Sequence, residues 1–254
     1  MRAVIKIGTS TLTHQNGSVN IRRIESLCKI ISDIKNSGAE IVLVSSGAIG
    51  MGVGKLRLGA RPSDIAGKQA CAAVGQCELM YIYDKLFAEY NHTVAQLLLT
   101  APDLDSEDRH EKFNNTIERL LLLGVLPIIN ENDTVATEEI EFGDNDTLAA
   151  RIAVSIKADL LVLLSDIDGL YTADPRKHKD ARLITEVREL NGEIMSLAEG
   201  AGSSLGTGGM ETKLRAAKIA TECGTDMIIA NGERPELIYD IFDGVPTGTR
   251  FYSK

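Results

Sequence analysis

The sequence predicts an α/β fold in which helices cover a mainly parallel β-sheet. Short β-branched runs recur along the 254 residues, and each is followed by a longer segment with helical spacing. That alternation is typical of parallel strands joined by crossover helices. The chain contains no internal repeat and no Pro/Ser-rich linker, so we expect a single domain over residues 1–254.

The elements follow one another in a regular order. The predicted strands are short apolar runs rich in Val, Ile and Leu, which suit a buried parallel sheet. These strands span Ala3–Ile7, Ile41–Val44, Thr93–Leu99, Val125–Asn130, Leu160–Leu164 and Met227–Ala230. The predicted helices span Ile21–Ser37, Ser63–Tyr90, Ser106–Leu123, Asn145–Lys157 and Met210–Cys223. In the third helix Phe113, Ile117, Leu120 and Leu121 fall at i, i+4, i+7 and i+8 and form one apolar stripe, as expected of a helix that covers a sheet.

Two segments depart from this alternation. Between Thr134 and Phe142 an imperfect alternation of apolar and polar residues predicts a small β-hairpin. The segment Gly200–Gly209 has five glycines in ten residues. We expect a mobile loop there, of the kind that often forms a lid beside the start of a helix.

Composition and charge exclude several classes of protein. The chain has 27 basic and 36 acidic residues, a net charge of −9, and no tryptophan. Such a charge repels a polyanion, and single-stranded nucleic-acid binders need aromatic platforms. We therefore expect no nucleic-acid partner.

Localisation is also constrained by the sequence. There is no N-terminal apolar signal region and no run of the roughly 18–20 apolar residues that a membrane span needs. The four cysteines lack the paired spacing of a zinc site, so reduced thiols are expected. These features predict a cytoplasmic protein without a membrane partner.

The common nucleotide-binding motifs do not match. Leu56 follows Gly54-Lys55, where a Walker A loop needs Ser or Thr. The glycines of Gly50–Gly54 and Gly206–Gly209 lack the spacing of a dinucleotide-binding fingerprint. A P-loop NTPase and a Rossmann dehydrogenase are therefore disfavoured.

Two glycine turns at predicted strand ends are candidate anion sites. The segment Lys6–Ser10 closes the first strand, and the segment Ser45–Gly50 closes the second and opens a helix. Open α/β sheets bind ligands at the carboxyl ends of their strands, and glycine turns present backbone N–H groups to anions. A lysine in an apolar strand is costly unless a partner such as phosphate accompanies it. The alternatives are a strand-end lysine that reaches water and an ordinary helix cap.

Two further features carry polar chemistry. The clusters Asn130–Asp133 and Gly143–Asp146 flank the expected hairpin, and they suit Ca²⁺, an amino acid or simple turn capping, without EF-hand spacing. The segment Gly206–Lys213 is a glycine loop that ends in a lysine one turn into a helix. It suits a loop that folds over phosphates, or a linker before the helix.

In this order the motifs closely resemble those of the glutamate kinases in the amino acid kinase family. The resemblance covers nearly the whole chain and extends to Lys68-Gln69, Ala72–Gln76 and Gly169–Pro175. The last of these motifs recurs through the wider family. Each motif alone is weak, but the series is specific to the glutamate kinases.

The resemblance implies a three-layer α/β/α sandwich with a mainly parallel central sheet. About residues 1–155 would hold the amino acid and about residues 156–254 the nucleotide. The implied reaction transfers the γ-phosphoryl group of ATP to the side-chain carboxylate of L-glutamate, giving L-glutamyl 5-phosphate for proline biosynthesis. A carboxylate is ionised at neutral pH, so this nucleophile needs no general base. The reaction needs cations and Mg²⁺ at the transferred group, with Mg²⁺ held mainly by phosphates and water and no protein metal ligand.

The resemblance also assigns roles to residues. Lys6 and Lys213 match the family's phosphate-contacting lysines, and Asp146 lies between them as organiser, so these three are the expected catalytic residues. The expected glutamate-binding residues are Ser46, Asp133 and Asn145, with Asn130 and Asp144 as weaker candidates. The expected ATP-binding residues are Lys6, Gly8, Ser165, Asp166, Thr207, Gly208, Gly209, Met210, Glu211, Thr212 and Lys213. Gly8, Gly47 and Gly208 would let backbone amides approach the phosphates.

Family habits suggest further expectations. Members usually form homo-oligomers through the N-terminal part, and proline is a common feedback inhibitor. Many bacterial members carry a C-terminal domain of the PUA type, and this chain ends at Lys254 without one. Two alternatives remain: another amino acid or carbamate kinase of the same family, and a non-catalytic amino acid sensor. The paired Asn/Asp clusters disfavour the first, and the presence of both Lys6 and Lys213 disfavours the second.

Overall fold

The computed structural model describes residues 1–14, 18–136, 145–198 and 209–254. In these ranges the strands are β1 (Arg2–Ile7), β2 (Glu40–Ser45), β3 (Val94–Leu99), β4 (Leu126–Glu131), β5 (Leu160–Ser165), β6 (Leu170–Tyr171), β7 (Leu183–Ile184), β8 (Glu186–Val187), β9 (Asp226–Asn231) and β10 (Thr249–Phe251). The helices are α1 (Thr9–Leu12), α2 (Ile21–Asn36), α3 (Ala48–Lys55), α4 (Ile65–Ala88), α5 (Ala101–Asp105), α6 (Glu107–Leu122), α7 (Asn145–Ser155), α8 (Gly192–Ser196), α9 (Met210–Glu222) and α10 (Leu237–Phe242).

The described residues form one large sheet and one small sheet. The large sheet has the strand order β3-β4-β2-β1-β5-β9-β10-β8. All pairs from β3 to β9 are parallel, and β10 is antiparallel to β9 and parallel to β8. The strands β6 and β7 pair separately as a two-stranded antiparallel ribbon. The predicted mainly parallel central sheet is confirmed.

Helices cover both faces of the large sheet. Helices α6, α7 and α9 pack on the face that carries Val4 of β1. Helices α2, α4 and α10 pack on the opposite face, which carries Ala3 and Ile5. The two faces alternate along β1 because successive side chains of a strand point to opposite sides. The three-layer α/β/α sandwich is therefore confirmed as well.

Helices α3 and α4 contact each other closely, backbone against backbone, beside the carboxyl edge of the sheet. A Cβ atom on Gly75 would lie 1.7 Å from the carbonyl oxygen of Ala48, and one on Gly52 would lie 1.9 Å from that of Cys71. Gly47 caps the start of α3 with φ +102°, a conformation that favours glycine. The start of α3 is therefore held against the backbone of α4.

The long predicted elements agree with the structure to within two residues at each end. The short elements β6, β7, β8, β10, α1, α5, α8 and α10 were not predicted. They have two to six residues, which is too few to show a period. The expected hairpin, Thr134–Phe142, lies outside the described residues from position 137 onwards, and the expected loop, Gly200–Gly209, lies outside them up to position 208.

The helices were compared with the length and apolar character that a bilayer span requires. None of the helices in the described part of the chain combines the two.

Candidate active site

The predicted site residues gather at the carboxyl edge of the parallel strands. Lys6 lies near the end of β1, Ser46 follows β2, and Asn130 and Ser165 lie at the ends of β4 and β5. Helix α3 begins directly after the turn that follows β2, and the first turns of α7 and α9 carry Asp146 and Lys213. Free N–H groups and the helix dipole make such ends favourable for anions. The arrangement matches the usual ligand site of an open α/β sheet.

Strand and helix periodicity brings Lys6, Asp146 and Lys213 together. Lys6 shares a face of β1 with Val4, and α7 packs on that face. Asp146 lies in the first turn of α7, so its carboxylate meets the end of β1. Lys213 is the fourth residue of α9, which packs against α7 in the same layer.

The three side chains form a buried ion-pair cluster. Lys6 Nζ lies 2.6 Å from Asp146 Oδ1, and Lys213 Nζ lies 3.1 Å from Asp146 Oδ2. The hydroxyl of Thr212 also donates to Asp146 Oδ2 at 3.0 Å. Asp146 is only 1% exposed, and Lys213 is 5% exposed. The structure thus brings together all three predicted catalytic residues.

The electrostatics of this cluster favour an anion. Burial alone would raise the pKa of the Asp146 carboxyl, but the ammonium groups of Lys6 and Lys213 outweigh burial and hold the pKa well below its ordinary value. The carboxylate is therefore ionised at neutral pH. Two ammonium groups face one carboxylate, so the cluster carries net positive charge within an acidic protein. A phosphate group would find a complementary partner there.

Three of the predicted glutamate-binding residues, Ser46, Asn145 and Asn130, form a row of hydrogen-bonded side chains with Gln76, called here the Asn145 chain. Asn145 Nδ2 donates to Ser46 Oγ at 2.8 Å and to Asn130 Oδ1 at 3.1 Å. Asn130 Nδ2 in turn donates to Gln76 Oε1 at 2.9 Å. Because Asn145 and Asp146 are adjacent in sequence, this polar chain lies directly beside the lysine cluster.

The other two predicted glutamate-binding residues differ in their placement. Asp133 lies in a turn two residues beyond β4, and Asp144 lies outside the described residues. Burial raises the pKa of the Asp133 carboxyl to about 6, against the opposing charge of Arg61. A positively charged ligand group would lower that pKa again by pairing with the carboxylate.

A cleft borders the lysine cluster at Lys213. Its lining includes the predicted residues Ser165, Asp166, Gly209, Met210 and Lys213. Lys213 therefore belongs both to the cleft and to the ion-pair cluster. The cleft reaches the Lys6–Asp146–Lys213 cluster at Lys213 of α9, and the Asn145 chain reaches it at Asp146 of α7.

Of the remaining predicted ATP-binding residues, one lies beside Lys6, one lies on the exposed side of α9, and two lie outside the described residues. Gly8 lies close to Lys6, since a Cβ atom there would be 3.9 Å from Lys6 Nζ. The side chain of Glu211 pairs with Arg215 on the exposed side of α9. Thr207 and Gly208 lie outside the described residues.

The structure also adds residues that were not assigned a role from the sequence. Tyr171, Asp174, Pro175 and Arg176 line the cleft, and Arg176 Nη2 donates to Asp166 Oδ2 at 3.0 Å. Tyr171, Asp174 and Pro175 belong to the Gly169–Pro175 motif, so that motif could have indicated from the sequence that they lie at the site. Gln76 likewise belongs to a motif of the resemblance, but nothing in the sequence indicates its partner.

The site suits a metal ion that arrives with the nucleotide. In the described ranges no group of three or more His, Cys, Asp or Glu side chains is placed to hold a metal ion. The carboxylate of Asp146 is engaged by Lys6 and Lys213. These residues fit Mg²⁺ bound mainly by phosphate oxygens and water, as Mg²⁺ commonly is.

Comparison with known proteins identifies the family. The pattern of the amino acid kinase family matches residues 1–231. The chain is 56% identical to a glutamate 5-kinase of Clostridium perfringens, covering 100% of this chain and 96% of that protein. It is 54% identical to a glutamate 5-kinase of Carboxydothermus hydrogenoformans, covering 100% of this chain and 68% of that longer protein. This chain belongs to the amino acid kinase family.

Solved structures support the same fold. A carbamate kinase from Giardia lamblia bound to AMP-PNP superposes with a TM-score of 0.69 at 16% identity, covering 100% of this chain and 98% of that one. An isopentenyl phosphate kinase of T. acidophilum, in a product complex, gives a TM-score of 0.66 at 19% identity, covering 99% of this chain and all of that one. At these identities the likeness concerns the fold.

Proposed function

We propose that this chain transfers the γ-phosphoryl group of ATP to the side-chain carboxylate of L-glutamate, giving L-glutamyl 5-phosphate, the first step of proline biosynthesis. The observation that carries the proposal is the buried Lys6–Asp146–Lys213 cluster, which lies between the Asn145 chain and the cleft. Relatives that are 50–56% identical carry the name glutamate 5-kinase, which supports glutamate as the acceptor.

The roles of the two halves follow from the position of the cluster. Residues up to about Ser155, where α7 ends, supply Ser46, Asn145 and Asp146. The later residues supply Ser165, Met210 and most of the cleft lining. We assign the amino acid to the first part and ATP to the second. Lys6, from the first part, and Lys213, from the second, meet at Asp146.

The reaction needs orientation and charge neutralisation more than proton transfer. An oxygen of the ionised side-chain carboxylate attacks the γ-phosphorus, the bond from that phosphorus to the β–γ bridging oxygen breaks, and ADP leaves with the electron pair. Lys6 and Lys213 attract the phosphate oxygens and reduce the repulsion between two anions. Asp146 holds the two ammonium groups in place before ATP binds. Mg²⁺ on the phosphates supplies further neutralisation when bound.

The glutamate end is held by groups of complementary polarity. Asp133 offers a carboxylate to the α-ammonium group, while Ser46 and Asn145 offer neutral polar atoms to the rest of the molecule. An acyl group on the amine would remove the charge that Asp133 pairs with. We therefore expect free glutamate to be preferred over N-acetylglutamate.

A hydroxamate-trapping assay tests the proposal. The protein is incubated with ATP, MgCl₂, hydroxylamine and either L-glutamate or N-acetylglutamate. We expect hydroxamate from glutamate and almost none from N-acetylglutamate, with the Lys213→Ala variant as the inactive control. A preference for N-acetylglutamate would indicate a different kinase of the family. Glutamate or proline binding without turnover would indicate a sensor.

Other expectations remain predictions. Proline inhibition at a site overlapping the glutamate pocket and homo-oligomeric assembly come from the resemblance, and a cytoplasmic location comes from the sequence features described above. Proline inhibition is tested in the same assay by adding L-proline at fixed glutamate.

A further inference from the structure

Gln76 is a buried polar residue that the proposed mechanism does not use. It lies on α4, is 8% exposed, and accepts a hydrogen bond from Asn130 Nδ2 at 2.9 Å. Its neighbour Gly75 is the residue that contacts the carbonyl of Ala48 at the start of α3. The close approach of the two helices therefore fixes where the Gln76 side chain begins.

One backbone group sets the orientation of the amides next to Gln76. The N–H of Glu131 donates to Asn130 Oδ1 at 2.9 Å. A backbone N–H is only a donor, so the Asn130 atom facing it must be the oxygen. The Asn130 nitrogen then faces Gln76 Oε1, and Asn145 must present its nitrogen to Asn130 Oδ1.

This orientation determines what Asn145 and Ser46 offer to a ligand. The two hydrogens of Asn145 Nδ2 are used by Asn130 Oδ1 and Ser46 Oγ. In the described part of the chain no hydrogen bond to Asn145 Oδ1 is seen, so this oxygen is the amide atom that can accept from a ligand. Ser46 Oγ accepts from Asn145, so its own hydrogen is available to donate. An acceptor beside a donor suits a ligand with both an ammonium and a carboxylate group.

We propose that Gln76 is a positioning residue of the amino acid pocket. Together with the Glu131 N–H, it holds the side chain of Asn130, which is only 2% exposed, and through Asn130 it keeps Asn145 in the orientation that presents its oxygen to the substrate. Gln76 touches neither the substrate nor the reacting atoms. Asn130 belongs with Gln76 in this role. The inference rests on the proposed function, because it names the residues behind the glutamate pocket.

Steady-state kinetics test the positioning role. Gln76→Met keeps the shape of the side chain and removes the acceptor, so Asn130 Nδ2 loses its buried partner. We expect the KM for glutamate to rise about 10-fold, in line with the cost of an unsatisfied buried donor, while the KM for ATP changes less than about 2-fold. Gln76→Glu keeps an acceptor at the same position and is expected to restore most of the loss.

Tyr83→Phe is the matched control. Tyr83 lies on the same helix, is fully buried, and shares a hydrogen bond with Ser45 Oγ at 3.0 Å. Its loss also removes a buried polar contact. Ser45 Oγ donates to the backbone carbonyl of Ser46 at 3.2 Å, whereas the Asn145 chain uses the Ser46 hydroxyl, so the KM for glutamate should rise much less than in Gln76→Met. Equal increases of the glutamate KM in Tyr83→Phe and Gln76→Met would overturn the positioning role.

A double-variant comparison separates positioning from general stability. In the Asn145→Ala background, Gln76→Met should have no further effect on the KM for glutamate, because Gln76 acts through Asn145. Independent and additive effects would contradict the proposal. If Gln76→Met does not fold, Gln76→Asn, which withdraws the amide by one methylene, takes its place.

A structural readout keeps this inference distinct from the proposed function. In ¹⁵N-labelled protein the side-chain amide signal of Asn145 is identified by its absence in Asn145→Ala. That signal should shift in Gln76→Met and stay in place in Tyr83→Phe, whether or not glutamate is phosphorylated. An unchanged Asn145 signal in Gln76→Met overturns the positioning role, while absent hydroxamate in the unaltered protein overturns the proposed function alone.

Discussion

Lys6 and Lys213 are held against opposite oxygens of a single carboxylate. Lys6 Nζ lies 2.6 Å from Asp146 Oδ1, and Lys213 Nζ lies 3.1 Å from Asp146 Oδ2. The lysines come from the central strand β1 and from α9, which is late in the chain. One buried acidic residue therefore organises two cations that would otherwise repel each other.

Lys213→Ala should lower kcat strongly while the fold is retained. The change removes a cation that lines the cleft and that we assign to the transferred phosphoryl group, and losses of about 10²–10³ are typical when one such group is removed. The measurement is kcat for hydroxamate formation, with circular dichroism to verify the fold. Lys218→Ala, an exposed lysine on the same helix, is the control. Near-normal turnover of Lys213→Ala would rule out the assigned role.

Asp146→Asn should destabilise the protein in the absence of nucleotide. It leaves two largely buried ammonium groups without a carboxylate, and breaking a buried ion pair from one side typically costs about 3–5 kcal/mol. Urea unfolding gives the change in the free energy of unfolding. The control is Asp108→Asn, which breaks the Asp108–Lys112 pair, both of whose side chains are 72% exposed. That exposed pair should contribute only about 0–1 kcal/mol, so similar losses in the two variants would contradict the cluster's role.

The sequence predicts the fold and the catalytic residues for different reasons. Long strands such as β1 and β5 carry continuous apolar runs, so their positions follow from composition. Lys6 stands out because it interrupts such a run. The short strand β10, antiparallel at Thr249–Phe251, has too few residues for a pattern, and its pairing depends on distant chain.

The polar chain behind Asn145 shows the limit of sequence reasoning. Asn130 was a weak candidate for substrate contact, and the structure shows it to be buried and hydrogen-bonded to Gln76. A glutamine in a helix gives no sign of being buried, and its partner lies 54 positions away in the sequence. Only the three-dimensional packing of α4 against the sheet edge brings the two side chains together.

Glutamate binding should strengthen as pH rises through about 6. Burial raises the pKa of the Asp133 carboxyl to about 6, so this group is mostly neutral at pH 5 and mostly ionised at pH 7. Only the ionised form pairs with the α-ammonium group, so the Kd for glutamate should fall by roughly 10-fold over this range. Calorimetric titration without nucleotide measures it. Asp133→Asn should bind weakly at both pH values, and an equally steep pH dependence in this variant would exclude Asp133 as its source.

Gly75→Ala should destabilise the protein and impair glutamate binding together. A Cβ atom on Gly75 would lie 1.7 Å from the carbonyl oxygen of Ala48 and 2.4 Å from the backbone nitrogen of Gly52. Backbone atoms cannot move aside as a flexible side chain would, so α3 and α4 must separate, at a cost of about 1–3 kcal/mol or more. Their separation displaces Gln76 on α4 and the Ser46 turn before α3, so the KM for glutamate should rise as well.

Gly59→Ala is the matched control for this change, because a Cβ atom there meets nothing within 4 Å. Urea unfolding and steady-state kinetics on both variants measure the two effects. The two effects are expected to appear together, since one helix contact supports both the core and the pocket. A Gly75→Ala variant with the stability and the glutamate KM of Gly59→Ala would show that the contact between α3 and α4 yields without cost, and would remove the support that this contact gives to Gln76.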